Sequence, residues 1–299
     1  MNSTETAEVP RVSVEPGILA DILDLTKARL NLLVLITTFV GYWMGAQGHI
    51  HWLELAQAML GTALCAASAA AFNQAWEVRI DSMMPRTASR PIAAGRMSRG
   101  SALGIAFGLG IIGTLWLGLA VNWMSAILAA STIVIYVLIY TPMKRRTAWC
   151  TLVGAVSGAI PPVVGWAAAN QHLTLGAWVL FGVLFTWQMP HFLAIAWMYR
   201  DQYRSAGLVM LKRNDHTGLP TAVTSLVFTF MLTAVTMIQF NAGLAGSTYL
   251  GGALVINSLF FLAALHFCAD RSRPVARRLF FASIMYLPLI LGLMVFTKE

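Results

Sequence analysis

Charged side chains make up only 11% of this 299-residue chain, less than half their share in an ordinary soluble domain. That scarcity excludes a water-facing surface over most of the molecule. With 58% hydrophobic residues and a mean hydropathy of +0.70, it marks an integral membrane protein. Acid is rarer than base, 12 Asp and Glu against 20 Lys and Arg, which leaves a formal charge of +8. No soluble domain remains that could hold a duplex, so nucleic acid is not among the expected partners. Cysteine is confined to Cys65, Cys150 and Cys268, an odd and scattered set without metal-ligand spacing, which reads as packing residues. The strict alternation of a transmembrane barrel strand is also absent.

What is present is a series of apolar runs long enough to cross a bilayer as helices, each about 20 residues. They predict an all-α polytopic membrane protein with nine spans, near 28–48, 53–75, 101–120, 122–141, 149–169, 175–197, 220–240, 246–268 and 276–296. Residues 1–27, with Glu5, Glu8 and Glu15 and no apolar core, read as a cytoplasmic tail and interfacial segment, and 28–299 as a single intramembrane domain. Lys and Arg crowd alternate connections: Arg79 to Arg99, Lys144 to Arg146, Arg200 to Arg213 and Arg271 to Arg278. The opposite connections, such as "QGHIH" and "NQHL", have none. The positive-inside rule then puts the N-terminus and all the basic loops in the cytoplasm, with Lys298 alone outside. Those basic loops run long, short, long, short. The pattern suggests two four-helix bundles plus a ninth helix, with the site at the interface of the halves, beside the long loops.

The stretch "FNQAWEVRIDSMMPRTASRP", Phe72 to Pro91, breaks the apolar pattern. On a helix extended past the membrane, Asn73, Glu77 and Asp81 recur at i, i+4 and i+8 and so share one face. Oxygen-only donors of this kind suit Mg²⁺, which keeps waters and shares its remaining positions with substrate phosphates. Arg86 and Arg90, at i, i+4 if helical, add guanidiniums that match phosphate oxygens. Together they describe a metal-diphosphate cradle, set against the plainer reading of surface ion pairs at a helix end. Polar groups at a membrane edge are costly and tend to be functional, which favours the cradle. The loop after the sixth span supplies Arg200, Asp201, Tyr203 and Arg204 as a counterpart cluster. "YTPMKRRT" supplies Lys144, Arg145 and Arg146, which read equally as a topological stop signal. His191, near the end of the sixth span, reads either as a packing residue or as a group facing the site.

The run Asn73, Glu77, Asp81, Met84, Arg86, Thr87, Arg90 and Pro91 resembles the first signature of the UbiA-type intramembrane prenyltransferases, and in detail that of their haem-farnesylating branch. "LTKARL" is similar to that branch's entry to the first span, with Ala28 in place of the usual proline. "YTPMKRRT" and "PHFLAIAWMYRDQYRSAGLVML" are similar to its later signatures, the latter without the proline often found before the Met. The resemblance implies farnesyl diphosphate and haem B as substrates, haem O as product and Mg²⁺ as cofactor. It further implies catalytic roles for Asn73, Glu77, Asp81, Arg86, Arg90, His191 and Asp201. Metal contacts would come from Asn73, Glu77, Asp81 and Asp201, and substrate contacts from Lys27, Arg29, Lys144, Arg145, Arg200 and Tyr203. It places the chain in a bacterial inner membrane with its site on the cytoplasmic side, where a haem A synthase or terminal-oxidase assembly proteins are candidate partners. Two other readings stay open. A prenyltransferase acting on an aromatic acid or quinone precursor would favour a second DxxxD motif after span six, which this chain lacks. An anion transporter would place its polar groups near the bilayer midplane, whereas here they gather at one edge.

Overall fold

The computed structural model describes residues 17–242 and 245–298. The stretch with Glu5, Glu8 and Glu15 therefore lies outside the described residues. After a short helix α1 (Ile18–Leu25) come α2 (Ala28–Gly45), α3 (Trp52–Asp81) and α4 (Arg99–Ala120). The next span is composite: α5 (Trp123–Val134), a π-helical stretch Ile135–Tyr140 and α6 (Thr141–Met143). Then follow α7 (Cys150–Asn170), α8 (Leu175–Met198), a short α9 (Arg200–Ser205), α10 (Leu219–Asn241), α11 (Ser247–Ala269) and α12 (Arg273–Phe296). Among the described residues nine helices are long and apolar enough to cross a membrane, and the only β contact is an isolated bridge between Ala245 and Lys298.

Local chemistry explains where the helices begin. The Ser98 hydroxyl accepts from the Ser101 amide at 3.0 Å, and the Asn122 side chain accepts from the Ser125 amide at 2.8 Å, each satisfying an orphan donor of a first turn. Pro220 and Pro274 sit in the first turns of α10 and α12, where the missing N–H costs nothing. The outward faces stay apolar, with Phe107, Ile111, Leu119, Phe230 and Leu259 all exposed, as a bilayer requires.

The helices pack as two closed groups. In the first, α2, α3, α4, α5 and α7 follow one another around a ring; in the second, α8, α10, α11 and α12 do the same, and α7 packs on α8 between them. Thus α12, set apart in the sequence reading as a ninth helix, closes the second group against α8 and α11. Two glycines let α2 and α7 approach closely. A Cβ on Gly41 would lie 1.9 Å from the Pro162 carbonyl oxygen, and one on Gly165 would lie 1.9 Å from that of Thr38. Only residues without a side chain let these backbones approach so far.

Candidate active site

Helix α3 runs on past the expected end of its span and finishes at Asp81, so Asn73, Glu77 and Asp81 are all helical, each about 6 Å from the next along the axis. All three are buried, at 1%, 6% and 2% exposure. Burying carboxylates is tolerable only when they are paired, and both are. Lys144 Nζ donates to both oxygens of Glu77 at 3.0 Å, and one Arg90 nitrogen donates to both oxygens of Asp81 at 2.7 Å. The Asn73 amide nitrogen donates to Glu77 at 2.8 Å and to the Thr141 hydroxyl at 3.2 Å, while its oxygen accepts from Lys27 Nζ at 3.1 Å. One network therefore joins α3, the junction of α1 and α2, and the end of the fourth span.

Two backbone irregularities aim the cations. Lys27 takes a left-handed conformation (φ 50°, ψ 47°) that breaks α1 from α2 and turns its side chain toward Asn73. The π-helical stretch carries Tyr136 and Tyr140, with ring centroids 5.1 Å apart, and Lys144 Nζ sits 4.6 Å from the centroid of Tyr140. Single π-turns inside α-helices recur at functional sites because they re-aim side chains. Burial pushes the Lys27 ammonium below its ordinary value. At Lys144 burial acts in the same direction, but Tyr140 and the Glu77 carboxylate outweigh it and hold the ammonium above its ordinary range.

From this network a cavity of about 360 Å³ leads inward between α2, α3, the π-turn, α7 and α8. Lys27, Tyr136 and Tyr140 line its charged end; Asn31, Gln188 and His191 lie further along an otherwise largely apolar wall. His191 is sandwiched by aromatic rings, stacked on Trp187 at 5.1 Å and against Phe280 at 5.0 Å. Its Nδ1 lies 2.8 Å from the Ser283 hydroxyl, whose single proton goes to the Phe280 carbonyl at 2.5 Å. Ser283 must then accept from His191, which puts the proton on Nδ1 and leaves Nε2 with a lone pair.

Other expected residues sit differently. Arg86 and Arg90 do not share a helix face: residues 82–97 form successive turns, because Pro85 and Pro91 remove backbone donors and interrupt any helix. Arg90 goes to Asp81, whereas Arg86 lies over the Tyr199 ring at 5.7 Å. Asp201 pairs with Arg273 on an exposed surface instead of with Asn73, Glu77 or Asp81. Arg145, Arg200 and Tyr203 line a neighbouring cavity of about 410 Å³ with Arg204, Lys212 and Arg213, and Arg200 is held over Trp197 at 4.4 Å. Arg29 is exposed on the first turn of α2. The sequence reading missed Tyr136, Tyr140, Thr141 and Ser283. Tyr140 and Thr141 stand inside "YTPMKRRT", next to the basic run that drew attention, while Ser283 carries no signal in an apolar span.

The model of the UbiA prenyltransferase family matches residues 34–287. The chain belongs to the UbiA prenyltransferase family. Within it, the chain is 41% identical over 287 residues to the protoheme IX farnesyltransferase of Solibacter usitatus, covering 93% of this chain and 98% of that one. It is 43% identical over 285 residues to that of Opitutus terrae, covering 93% and 95%. Among solved structures, one described as digeranylgeranylglyceryl phosphate synthase in membranes aligns with a TM-score of 0.80 at 14% identity, over 93% of this chain and 98% of that one. A UbiA homologue from Archaeoglobus fulgidus bound to DMAPP and Mg²⁺ aligns at 0.65 and 14% identity, over 92% and 99%. The motif resemblance is therefore confirmed for the family, and this UbiA chain has the family's all-helical membrane fold.

Proposed function

We propose that this protein transfers the farnesyl group of farnesyl diphosphate to a vinyl group of haem B and, with addition of water, yields haem O. The observation that carries the reading is one cavity that runs from Lys27, at the edge of the buried carboxylate-cation network, to His191, whose Nε2 is left with a lone pair for a porphyrin iron. The names of the full-length relatives support haem as the acceptor.

The reaction breaks the C1–O bond of farnesyl diphosphate, with the electron pair leaving on the diphosphate. Lys27, Lys144, Arg90 and Arg86 are the groups placed to stabilise that growing charge, more in the transition state than in the ground state. The terminal vinyl carbon bonds to C1, and the carbon next to the ring takes hydroxyl from water, which releases a proton. Leu30, Val34, Ala66 and Ala70 line the chamber and keep water from the allylic cation until that step. His191 orients the porphyrin through its iron.

The network also fits Mg²⁺. Glu77 and Asp81 each already hold a cationic side chain, so both positions are built for positive charge, and the Asn73 oxygen already accepts from a third cation, Lys27. Among the described residues no three His, Cys, Asp or Glu converge. Two carboxylates and an amide leave positions for waters and diphosphate oxygens, the pattern Mg²⁺ takes. Bound there, Mg²⁺ would supply charge neutralisation of the leaving group. Asp201 joins that set only on releasing Arg273. The basic end of the bundle is read as the cytoplasmic face of a bacterial inner membrane, where haem O would pass to a haem A synthase or to terminal-oxidase assembly proteins.

Mass spectrometry of pigments from membranes given haem B, farnesyl diphosphate and Mg²⁺ tests the proposal. The expected result is haem O, lost when any of the three is withheld. Prenylation of an aromatic acid in place of haem would overturn it. In the purified His191→Ala variant, haem affinity and the haem spectrum change while farnesyl diphosphate binding is retained; an unchanged spectrum would remove the ligand role.

A further inference from the structure

At the end of the bundle opposite the carboxylate network, α2, α7, α8, α10 and the C-terminal residues enclose a cavity of about 570 Å³. Its polar lining is unusual in being short of partners. The Trp166 indole N–H and the Gln239 amide nitrogen are both buried, at 6% and 3% residue exposure, and neither has a hydrogen-bond partner. Such orphan donors are uncommon in folded proteins and call for an explanation. Lys298, the only Lys or Arg among the described residues that line this cavity, faces the same space. Its ammonium donates to the carbonyls of Trp43 and Ala46 at 2.7 and 2.6 Å, which leaves one of its N–H groups over. Burial pushes this ammonium below its ordinary value, and among the described residues no carboxylate lines the cavity to offset its charge.

We infer that this cavity is an oxyanion site, in which Trp166, Gln239 and Lys298 together donate to a phosphate or carboxylate group. The indole and the ammonium can only donate, so a ligand that only accepts satisfies all of them, and its charge balances that of the half-buried ammonium. Water alone would bring protons that need further acceptors. The cavity lies at the ends of apolar spans, among the connecting residues Gln47 and Gly48, so the anion comes either from a lipid headgroup or from solution. The inference does not depend on which acceptor the enzyme farnesylates.

The test uses the full chain with ¹⁵N-labelled tryptophan in phosphatidylcholine nanodiscs, with the Trp166 indole signal assigned through Trp166→Phe. Adding phosphatidylglycerol to the discs, or inorganic phosphate to the buffer, is expected to move that signal downfield and saturably. A response to the lipid alone identifies a headgroup as the occupant, and a response to phosphate alone identifies a free anion. Lys298→Met is expected to weaken the response about tenfold or more, through loss of a charge-assisted bond. Gln239→Leu weakens it less, and decides the matter should Lys298→Met fail to fold. No shift with either anion, or an equal shift in both variants, would overturn the assignment.

Discussion

Glu77 and Lys144 illustrate what a buried ion pair does in this molecule. Side-chain exposure is 7% and 10%, so neither charge has water to fall back on, and removing one partner strands the other at a cost of about 3 kcal/mol. Glu77→Gln and Lys144→Met are each expected to lower the thermal midpoint in detergent, while the double variant recovers most of the loss. Activity is expected to behave otherwise: both singles and the double lose turnover, Glu77→Gln by about a thousandfold, because in the proposed reaction the same groups serve the leaving diphosphate. Full activity in the stable double variant would show that the pair is structural only. Lys27 carries a pH signature. Its ammonium is depressed by burial, so under the proposed function affinity for diphosphate is expected to be complete below that lowered value and to be lost as pH rises through it, earlier than an ordinary lysine would allow. Lys144, held high, stays charged over the same range. Calorimetric titration of diphosphate from neutral to alkaline pH should show this fall in the wild type and its absence in Lys27→Arg, whose guanidinium does not titrate there.

At the scale of elements, the four-residue period made α3 legible: the stripe Asn73, Glu77, Asp81 is visible in the sequence itself, because an α-helix brings side chains at that spacing onto one face. The same period misled at Arg86 and Arg90, where Pro85 and Pro91 replace helix by turns. The π-stretch at Ile135–Tyr140 left no trace in the sequence, since its residues are as apolar and periodic as an ordinary span. Long-range pairings such as His191 with Ser283, or Lys27 with Asn73, depend on how helices far apart in sequence pack, which periodicity does not encode. The α2–α7 contact also depends on packing, and it makes a sharp prediction. Gly165→Ala forces a methyl group to 1.9 Å from the Thr38 carbonyl oxygen and is expected to cost about 1–3 kcal/mol, seen as a lower thermal midpoint. Gly251→Ala, with open space around it, should change little.

For the molecule as a whole, charge is sorted by end. Residues from α1, the α3–α4 connection, the end of the fourth span and the loop after α8 meet at the basic end, joined by Arg96–Asp21, Lys144–Glu77 and the Val209–Lys144 backbone bond. Cysteines introduced at Ser89 and Gln171 are expected to react with an impermeant thiol probe from opposite sides of the membrane. Labelling of both from one side would break the nine-span topology. The helices are also grouped out of step with chain order. The main partner of α2 is α7, four spans further on, and the glycines that seat it are separated by more than a hundred residues. A ribosome adding ~5–20 residues per second needs on the order of ten seconds to deliver that partner. For that interval the first span waits in the bilayer with its Gly41 groove open to whatever else is there, and shortening the wait or guarding the groove becomes part of making the protein. Substitutions along the groove should therefore reduce the yield of newly made chains by more than the melting point of the finished enzyme suggests.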